Sequence, residues 1–186
     1  MGSWFLFFNG SMVPVGEIGH YGEYSTLDRR TGFARQDDWW SVYSSQQINF
    51  TKPPLQYWMS ALLLEAGVDQ TTALRAPSWL FAGLCLIATG MMAAAIFPAS
   101  PWVIPASVLL LSSSERCWKS GISALLDTGS LLFVTLTLAA MLLALRHPKW
   151  WYVAALSIGL GTLQKAPVAL VCAVFFLIFV GVTARW

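Results

Sequence analysis

The chain has 186 residues, of which 56% are hydrophobic and only 11% charged, and its mean hydropathy is +0.61. Globular soluble domains carry roughly 25% charged residues, whereas here only two acids, Glu115 and Asp127, follow Arg75. This composition excludes an ordinary soluble domain and favours an integral membrane protein, because a bilayer tolerates long uncharged surfaces. The net charge of +2 is too small to indicate a nucleic-acid partner.

The N-terminal third is more polar than the rest of the chain. Residues 4–8 are apolar, but polar residues at 9–11 interrupt the run before it reaches the roughly 20 residues that span a bilayer. We therefore interpret residues 1–15 as a partial first transmembrane helix. Residues 16–70 mix charged and aromatic side chains, which is typical of short interfacial helices and predicts a mostly extramembrane loop. The distribution of basic residues described below predicts that this loop is extracytoplasmic. Its apolar stretch 55–64 is too short to span a membrane.

After this loop the sequence alternates between uncharged runs and short polar or proline-containing connections. Five such runs are candidate crossings, at 76–97, 105–114, 120–145, 150–164 and 168–184, and Asp127 near the start of the third is the one charged residue within them. The predicted fold class is therefore all-α: a polytopic transmembrane helical bundle over residues 71–186, with an outer-face loop that carries short interfacial helices.

The cysteines and histidines do not indicate a metal centre. The three cysteines are scattered without C-x-x-C spacing, and His20 and His147 have no partner at ligand spacing. We therefore predict neither a metal site nor a cofactor.

The distribution of charge predicts the orientation of the bundle. The basic segment 146–149 and Arg185 are expected in the cytoplasm, because cytoplasmic connections are enriched in Lys and Arg. Alternation then brings a set of charged residues to the opposite face: Glu17, Lys52, Arg116, Lys119, Asp127 and Lys165. Helix packing does not require such clustering, so we interpret this face as a site for an anionic group beside a carboxylate that takes part in chemistry.

Four sequence segments resemble one family. Residues 50–58, Phe-Thr-Lys-Pro-Pro-Leu-Gln-Tyr-Trp, resemble the F-x-K-P-P-L-x-Y-W segment of the lipid-linked-sugar glycosyltransferases of the GT-C fold. These include the lipid A aminoarabinose transferases and the protein O-mannosyltransferases. Residues 73–78, 125–128 and 160–170 resemble three further segments of that family, in the same order and spacing.

The resemblance implies an enzyme that moves a sugar from a polyprenyl-phosphate donor to a hydroxyl of a lipid, glycan or protein, at the outer face of a bacterial inner membrane among membrane lipids. Glu17 stands at the position of the family's catalytic Asp, and His20 lies in the same segment. Glu17 and Asp127 are the catalytic candidates, and the substrate-binding candidates are Lys52, Lys165, Arg75, Tyr57 and His20. Two departures from the family pattern are Glu in place of Asp at 17 and Thr51 in place of an acid before the lysine.

The chemistry explains these residue types independently of the family. Displacement of a polyprenyl phosphate needs cations that neutralise the leaving group, and Lys52 and Lys165, with help from Arg75 or Arg116, are candidates. It also needs a base on the opposite face of the sugar, for which Glu17 is the candidate, and this arrangement predicts inversion at the anomeric carbon. Asp127 orients the acceptor or pairs with a lysine.

Other interpretations stay open at this point. Lys52 and Arg75 are also explained as interface anchors, Asp127 as a helix N-cap, and Tyr57 as a residue of the aromatic belt. The same charges are compatible with a small membrane transporter. A non-catalytic or truncated fragment of a glycosyltransferase is a further alternative.

Overall fold

The structure, a computed structural model, describes residues 39, 42–44, 47–48, 52–165 and 167–183. Within these residues the chain forms a two-stranded hairpin followed by helices. The strands are β1 (Tyr43–Ser44) and β2 (Gln47–Ile48). The helices are α1 (Leu55–Glu65), α2 (Gln70–Ile96), α3 (Val103–Ser112), α4 (Glu115–Ile122), α5 (Asp127–Ala144), α6 (Trp150–Gln164) and α7 (Val168–Thr183).

The described part of the loop contains a short β-hairpin as well as helix. β1 and β2 pair antiparallel, with Tyr43 opposite Ile48 and Ser44 opposite Gln47. The apolar stretch 55–64 forms α1, which at 11 residues is too short to cross a membrane, as expected. The short interfacial helices stay a prediction. The predictions for residues 1–15 and 16–38 lie outside the described residues.

A sharp turn joins α1 to α2. Gly67 adopts a φ of +83°, the left-handed conformation that closes many helices and that residues with a Cβ rarely adopt. Its N–H donates to the Leu64 carbonyl at 2.9 Å, and the Val68 N–H donates to the Leu63 carbonyl at 3.0 Å. Asp69 then caps α2 by accepting a hydrogen bond from the Thr72 N–H at 2.9 Å, and this bond lowers the pKa of the Asp69 carboxyl.

Two boundaries differ from the sequence prediction. α2 begins at Gln70, six residues before the predicted uncharged run, because the Asp69 cap and not hydrophobicity sets the first turn. The run 120–145 contains one candidate crossing helix, as predicted, but its predicted start is wrong, since turns interrupt the run at 123–126. Its first residues belong to α4, which carries the exposed Glu115–Lys119 pair and is polar on that face. The crossing helix starts at Asp127.

Among the helices in the described part of the chain, two are long and apolar enough to cross a membrane: α2, whose mean hydropathy reaches 2.0, and α5, for which it is 1.7. α3 and α7 are shorter apolar helices. Large apolar side chains are exposed along α3 and α7, including Leu109, Leu110, Phe175 and Phe179. Such exposure suits lipid contact or contact with other membrane helices.

α5 is the central helix, and α2, α6 and α7 pack against it. Buried alanines on α5, among them Ala139, Ala140 and Ala144, allow its neighbours to approach closely. α2 runs parallel to α5, since Ser78 near the start of α2 contacts Leu125 and Ala95 near its end contacts Arg146. The ring of Phe81 packs edge-on against that of Phe133 between these contacts, with centroids 5.7 Å apart. α6 returns antiparallel, with Ser157 bonded to Phe133 and Gln164 to Leu126.

Contacts at the two ends of the bundle fix which loops lie together. At one end the Ser78 hydroxyl donates to the Leu125 carbonyl at 3.4 Å, just before α5 starts. At the other end the Arg146 guanidinium donates to the Ala95 carbonyl at 3.4 Å, where α2 and α5 finish. The basic segment 146–149 is therefore at the end opposite to Asp127, as the sequence predicted. The side of the membrane that each end faces stays a prediction.

Cysteine labelling tests this orientation. In a chain with Cys85, Cys117 and Cys172 replaced by alanine, Glu65→Cys is expected to react with a membrane-impermeant maleimide added to intact cells. His147→Cys is expected to react only after permeabilisation, because position 147 lies at the opposite end of the bundle from position 65. Both positions are exposed, so burial does not prevent either reaction. Reaction of both cysteines from the same side would contradict the predicted topology.

Candidate functional site

An ion pair lies at the end of the bundle where α5 begins and α6 ends. The Lys165 Nζ donates to the Asp127 carboxylate, and the side chains are 38% and 56% exposed, respectively. Asp127 is in the first turn of α5, and Lys165 follows the last residue of α6. Each charge is favoured by the partial charge at its helix end. The sequence left open whether Asp127 pairs with a lysine, and the structure shows that it pairs with Lys165.

A buried amide lies directly behind this pair. Gln164, the residue before Lys165, has no exposed surface. Its Nε2 donates to Gln56 Oε1 at 2.7 Å and to the Leu126 carbonyl at 3.2 Å. Because Leu126 precedes Asp127, both members of the ion pair are sequence neighbours of groups in this hydrogen-bonded set.

The network continues from Gln56 to α2. Gln56 is also fully buried, and its Nε2 donates to the Ser78 hydroxyl at 3.0 Å. The Ser78 hydroxyl in turn donates to the Leu125 carbonyl. Each of the four segments singled out in the sequence, 50–58, 73–78, 125–128 and 160–170, thus contributes a group to one connected network.

Gln56 and Gln164 were missed as site residues in the sequence. The signal that could have found them is their polarity, since an amide within an apolar helix needs hydrogen-bond partners inside the protein. In the segment 50–58, Gln56 lies between the two prolines and the two aromatic residues. In the segment 160–170, Gln164 directly precedes Lys165.

A glycine makes room for the Gln164 side chain. A Cβ at position 129, in the first turn of α5, would lie 2.4 Å from Gln164 Nε2, 2.5 Å from its Cδ and 2.9 Å from its Cγ. Such distances are far inside van der Waals contact, so a larger residue would displace the amide. Gly129 therefore allows α6 to end directly over the start of α5.

Two of the other predicted site residues, Lys52 and Arg75, lie near this network. Lys52 is half-buried and lies just before α1, four residues from Gln56, so its backbone belongs to the same end of the bundle. Arg75 is half-buried one turn before Ser78 on α2. Glu17 and His20 lie outside the described residues.

Tyr57 is placed in the core. Its side chain is 0% exposed and packs in a cluster with Val42, Ala61 and Leu126. Since it has no exposed surface, the alternative that it faces lipid as an aromatic-belt residue is wrong. Its predicted contact with substrate stays a prediction, and its packing on Leu126 links it to the start of α5.

α4 contributes a second charged pair near this end. Lys119 Nζ lies 2.5 Å from Glu115 Oε1 one turn away, with both side chains largely exposed. The lysine lowers the pKa of the Glu115 carboxyl by hydrogen bonding and by its charge. Exposed pairs of this kind stabilise a helix only slightly.

A cleft of about 370 Å³ opens beside Asp127, between α2, α3, α4 and α5. It is lined by Cys85, Leu111, Ser114, Cys117, Asp127, Thr128 and Leu131. Its volume is within the range of small-molecule sites, roughly 300–1,000 Å³, and its walls are mainly apolar with one carboxylate at the edge. Among the residues that the structure describes, no group of His, Cys, Asp or Glu side chains is arranged to hold a metal ion.

Comparison with known proteins gives two kinds of match. Residues 51–186 match the family model described as dolichyl-phosphate-mannose-protein mannosyltransferase. No relative among curated proteins matches the chain.

Among solved structures, the chain is similar to ArnT from Cupriavidus metallidurans in the apo state and bound to undecaprenyl phosphate. The TM-score is 0.77 for both, with 19% and 18% sequence identity. Each match covers 98% of this chain and 35% of ArnT, so the chain spans about a third of the length of that protein. These matches confirm the predicted all-helical membrane fold and the resemblance to glycosyltransferases of this type.

The fit between Gly129 and Gln164 can be tested by adding one methyl group. Gly129→Ala is expected to lower the free energy of unfolding by about 1–3 kcal/mol, because the Cβ displaces a buried, hydrogen-bonded amide. Thermal unfolding in lipid nanodiscs measures this. Gly83→Ala is the matched control, since a Cβ there meets nothing within 4 Å and alanine favours helix over glycine. Equal melting temperatures for the two variants would show that the close approach is absent.

Proposed function

The chain belongs to the dolichyl-phosphate-mannose-protein mannosyltransferase family, and on this premise we propose that it binds a polyprenyl-phosphate-linked sugar at the Asp127–Lys165 end of the bundle. The sugar is transferred to a hydroxyl of a lipid, glycan or protein. The site faces the extracytoplasmic side of a bacterial inner membrane, and the anomeric carbon is inverted.

The observation that carries this proposal is the position of Lys165. Its side chain is partly exposed and pairs with Asp127 at the end of α6. The segment that carries Lys52 lies at the same end of the bundle. A leaving phosphate needs cations that neutralise its charge as the bond to the sugar breaks. The undecaprenyl phosphate complex of ArnT, a protein of the same fold, supports a carrier of this chemical class.

The phosphate and Asp127 compete for Lys165 in this proposal. In the structure Asp127 pairs with the lysine, and since both side chains are partly exposed, a phosphate oxygen can replace the carboxylate at modest cost. Asp127 then has its carboxylate available beside the cleft, where it orients the acceptor hydroxyl. Arg75, one turn from Ser78, adds a further positive charge.

The proton of the acceptor goes to Glu17. The acceptor oxygen attacks the anomeric carbon, the bond from that carbon to the phosphate oxygen breaks, and the polyprenyl phosphate leaves with the bonding electrons. The Glu17 carboxylate takes the hydroxyl proton as the new glycosidic bond forms. This role follows the family motif at residues 17–23. Tyr57 and His20 are the further substrate contacts that we propose from their motifs.

The placement of the charges favours a transferase over a transporter. Transporters place ionisable residues along a path near the middle of the membrane. Here Asp127 and Lys165 pair with each other at helix ends. This arrangement suits a site at the membrane surface.

Charge removal at the two ends of the bundle tests phosphate binding. Lys52→Ala and Lys165→Ala are each expected to weaken binding of a polyprenyl phosphate by about ten- to a hundredfold, because each removes one charge-assisted contact. Lys149→Ala, at the opposite end, is the control and is expected to bind normally. Affinities are measured with the chain in nanodiscs. Unchanged binding in both site variants would refute the assigned role.

Replacement of the acid at position 17 tests catalysis separately from binding. Glu17→Gln keeps the size of the side chain but removes the basic oxygen, so the chemical step is expected to slow by about two to four orders of magnitude with nearly normal donor affinity. Glu17→Asp, which restores the family's residue, is expected to retain transfer. Single-turnover transfer from a labelled donor measures both. Transfer by Glu17→Gln at the parental rate would place the base elsewhere.

A further inference from the structure

Two buried amides meet where four helices converge. Gln56 and Gln164 are both 0% exposed and belong to helices that are otherwise mainly apolar. Burying an amide in such surroundings is unfavourable unless its polar atoms find partners. Methionine or leucine would fill the same space without this requirement, so the pair calls for an explanation beyond packing.

The hydrogen bonds of Gln164 join three helices. Its Nε2 donates to Gln56 Oε1 on α1 and to the carbonyl of Leu126 before α5. We call the Gln56 and Gln164 side chains, with the Leu126 carbonyl, the amide clasp. The clasp does not satisfy every atom, since Gln164 Oε1 is buried without a partner among the residues described. An unpaired buried acceptor lowers the stability of the folded chain, so Gln164 is not the residue that stability alone would favour here. Such departures are expected at functional sites.

The clasp adjoins both members of the ion pair. Gln164 directly precedes Lys165, and Leu126 directly precedes Asp127. The bond of 3.2 Å between Gln164 Nε2 and the Leu126 carbonyl therefore joins the backbone that carries the cation to the backbone that carries the acid.

The end of α6 does not hold Lys165 firmly by itself. The Lys165 backbone has left the helical conformation, with φ −149° and ψ −76°. Its N–H donates to the Gly161 carbonyl at 3.3 Å, beyond the usual range for such bonds. The Gln164 side chain, one residue earlier, makes two buried hydrogen bonds that are shorter, at 2.7 and 3.2 Å. The position of the lysine thus depends on the clasp.

We propose that the amide clasp sets the separation between Lys165 and Asp127, and that Gln164 and Gln56 are positioning residues of the anion site. The nature of the anion, a polyprenyl phosphate, rests on the proposed function. If a phosphate binds between Lys165 and Lys52, the backbone segments that carry these two lysines must stay at a fixed separation. The hydrogen bond from Gln164 to Gln56 joins these two segments directly. Neither amide contacts the reacting atoms in this role.

Substitution by methionine removes the clasp with little change of volume. The clasp variants are Gln164→Met and Gln56→Met. The matched control is Thr137→Val, which removes another fully buried hydrogen bond between α5 and α6, from the Thr137 hydroxyl to that of Ser157 at 3.0 Å. Position 137 is ten residues from Asp127, or about 15 Å along the helix.

The first measurement reports geometry without any substrate. Asp127→Cys and Lys165→Cys are introduced together into the chain with Cys85, Cys117 and Cys172 replaced by alanine, and a short bifunctional thiol reagent joins them. Because the ion pair itself is gone, the cross-linking rate reports how the backbone holds the two positions. We expect this rate to fall at least about fivefold with Gln164→Met or Gln56→Met and to stay unchanged with Thr137→Val.

The second measurement is the affinity for undecaprenyl phosphate in nanodiscs, made with the native Asp127 and Lys165 present. Gln164→Met is expected to weaken binding by about five- to twentyfold, the usual size of a coupling between sites. Thr137→Val is expected to bind normally although its melting temperature falls by a similar amount. A purely structural role would lower the melting temperatures of both variants and leave both affinities unchanged.

The outcomes separate the two proposals. Slower cross-linking in the clasp variants alone, together with weaker binding, supports the positioning role. Equal cross-linking in clasp and control variants overturns it, as does normal affinity in Gln164→Met. If the parent chain does not bind undecaprenyl phosphate, the proposed function fails, and the cross-linking rates alone decide whether the clasp positions the pair.

Discussion

The hydrogen bonds of the Gln164 amide are the constraint on which the arrangement of this bundle end depends. An amide buried between helices has no water to bind, so its N–H groups must find acceptors within the protein. Gln56 and the Leu126 carbonyl provide them, and this requirement brings α1 and the start of α5 to the end of α6. Gly129 follows from the same constraint, because a side chain at that position would occupy the volume of the amide.

The exposed charges in front of the clasp depend on helix ends for their placement. Asp127 lies where the N–H groups of α5 point outward, and Lys165 lies beside the carbonyl end of α6, so each charge is favoured where it stands. Their pairing is accessible to solvent, in contrast to the amides behind it. A buried, hydrogen-bonded layer therefore lies behind an ion pair that solvent reaches, and a proposed phosphate ligand could reach the same pair.

Much of this could be predicted from the sequence, since uncharged runs locate helices and helix alternation decides which loops share an end. The shared end of Asp127 and Lys165 was predicted in this way and is confirmed. The family resemblance was predicted from four sequence segments instead, and it is also confirmed. Hydropathy could not locate the break at 123–126 or the start of α2, because caps and turns set these points. Nor could it distinguish Tyr57 in the core from a residue facing lipid, since either environment suits an aromatic ring. The clasp was missed because a contact between residues 108 positions apart leaves no local pattern.

We propose that the phosphate of a polyprenyl carrier lies at the end of the bundle that carries Lys52 and the Asp127–Lys165 pair. Photolabelling tests it most directly, using a polyprenyl phosphate with a diazirine in the isoprene unit next to the phosphate and mass spectrometry to locate the adduct in the chain. We expect adducts within residues 52–58 and 160–168, which the amide clasp joins. Adducts confined to residues 145–152, at the opposite end of α5 and α6, would contradict it.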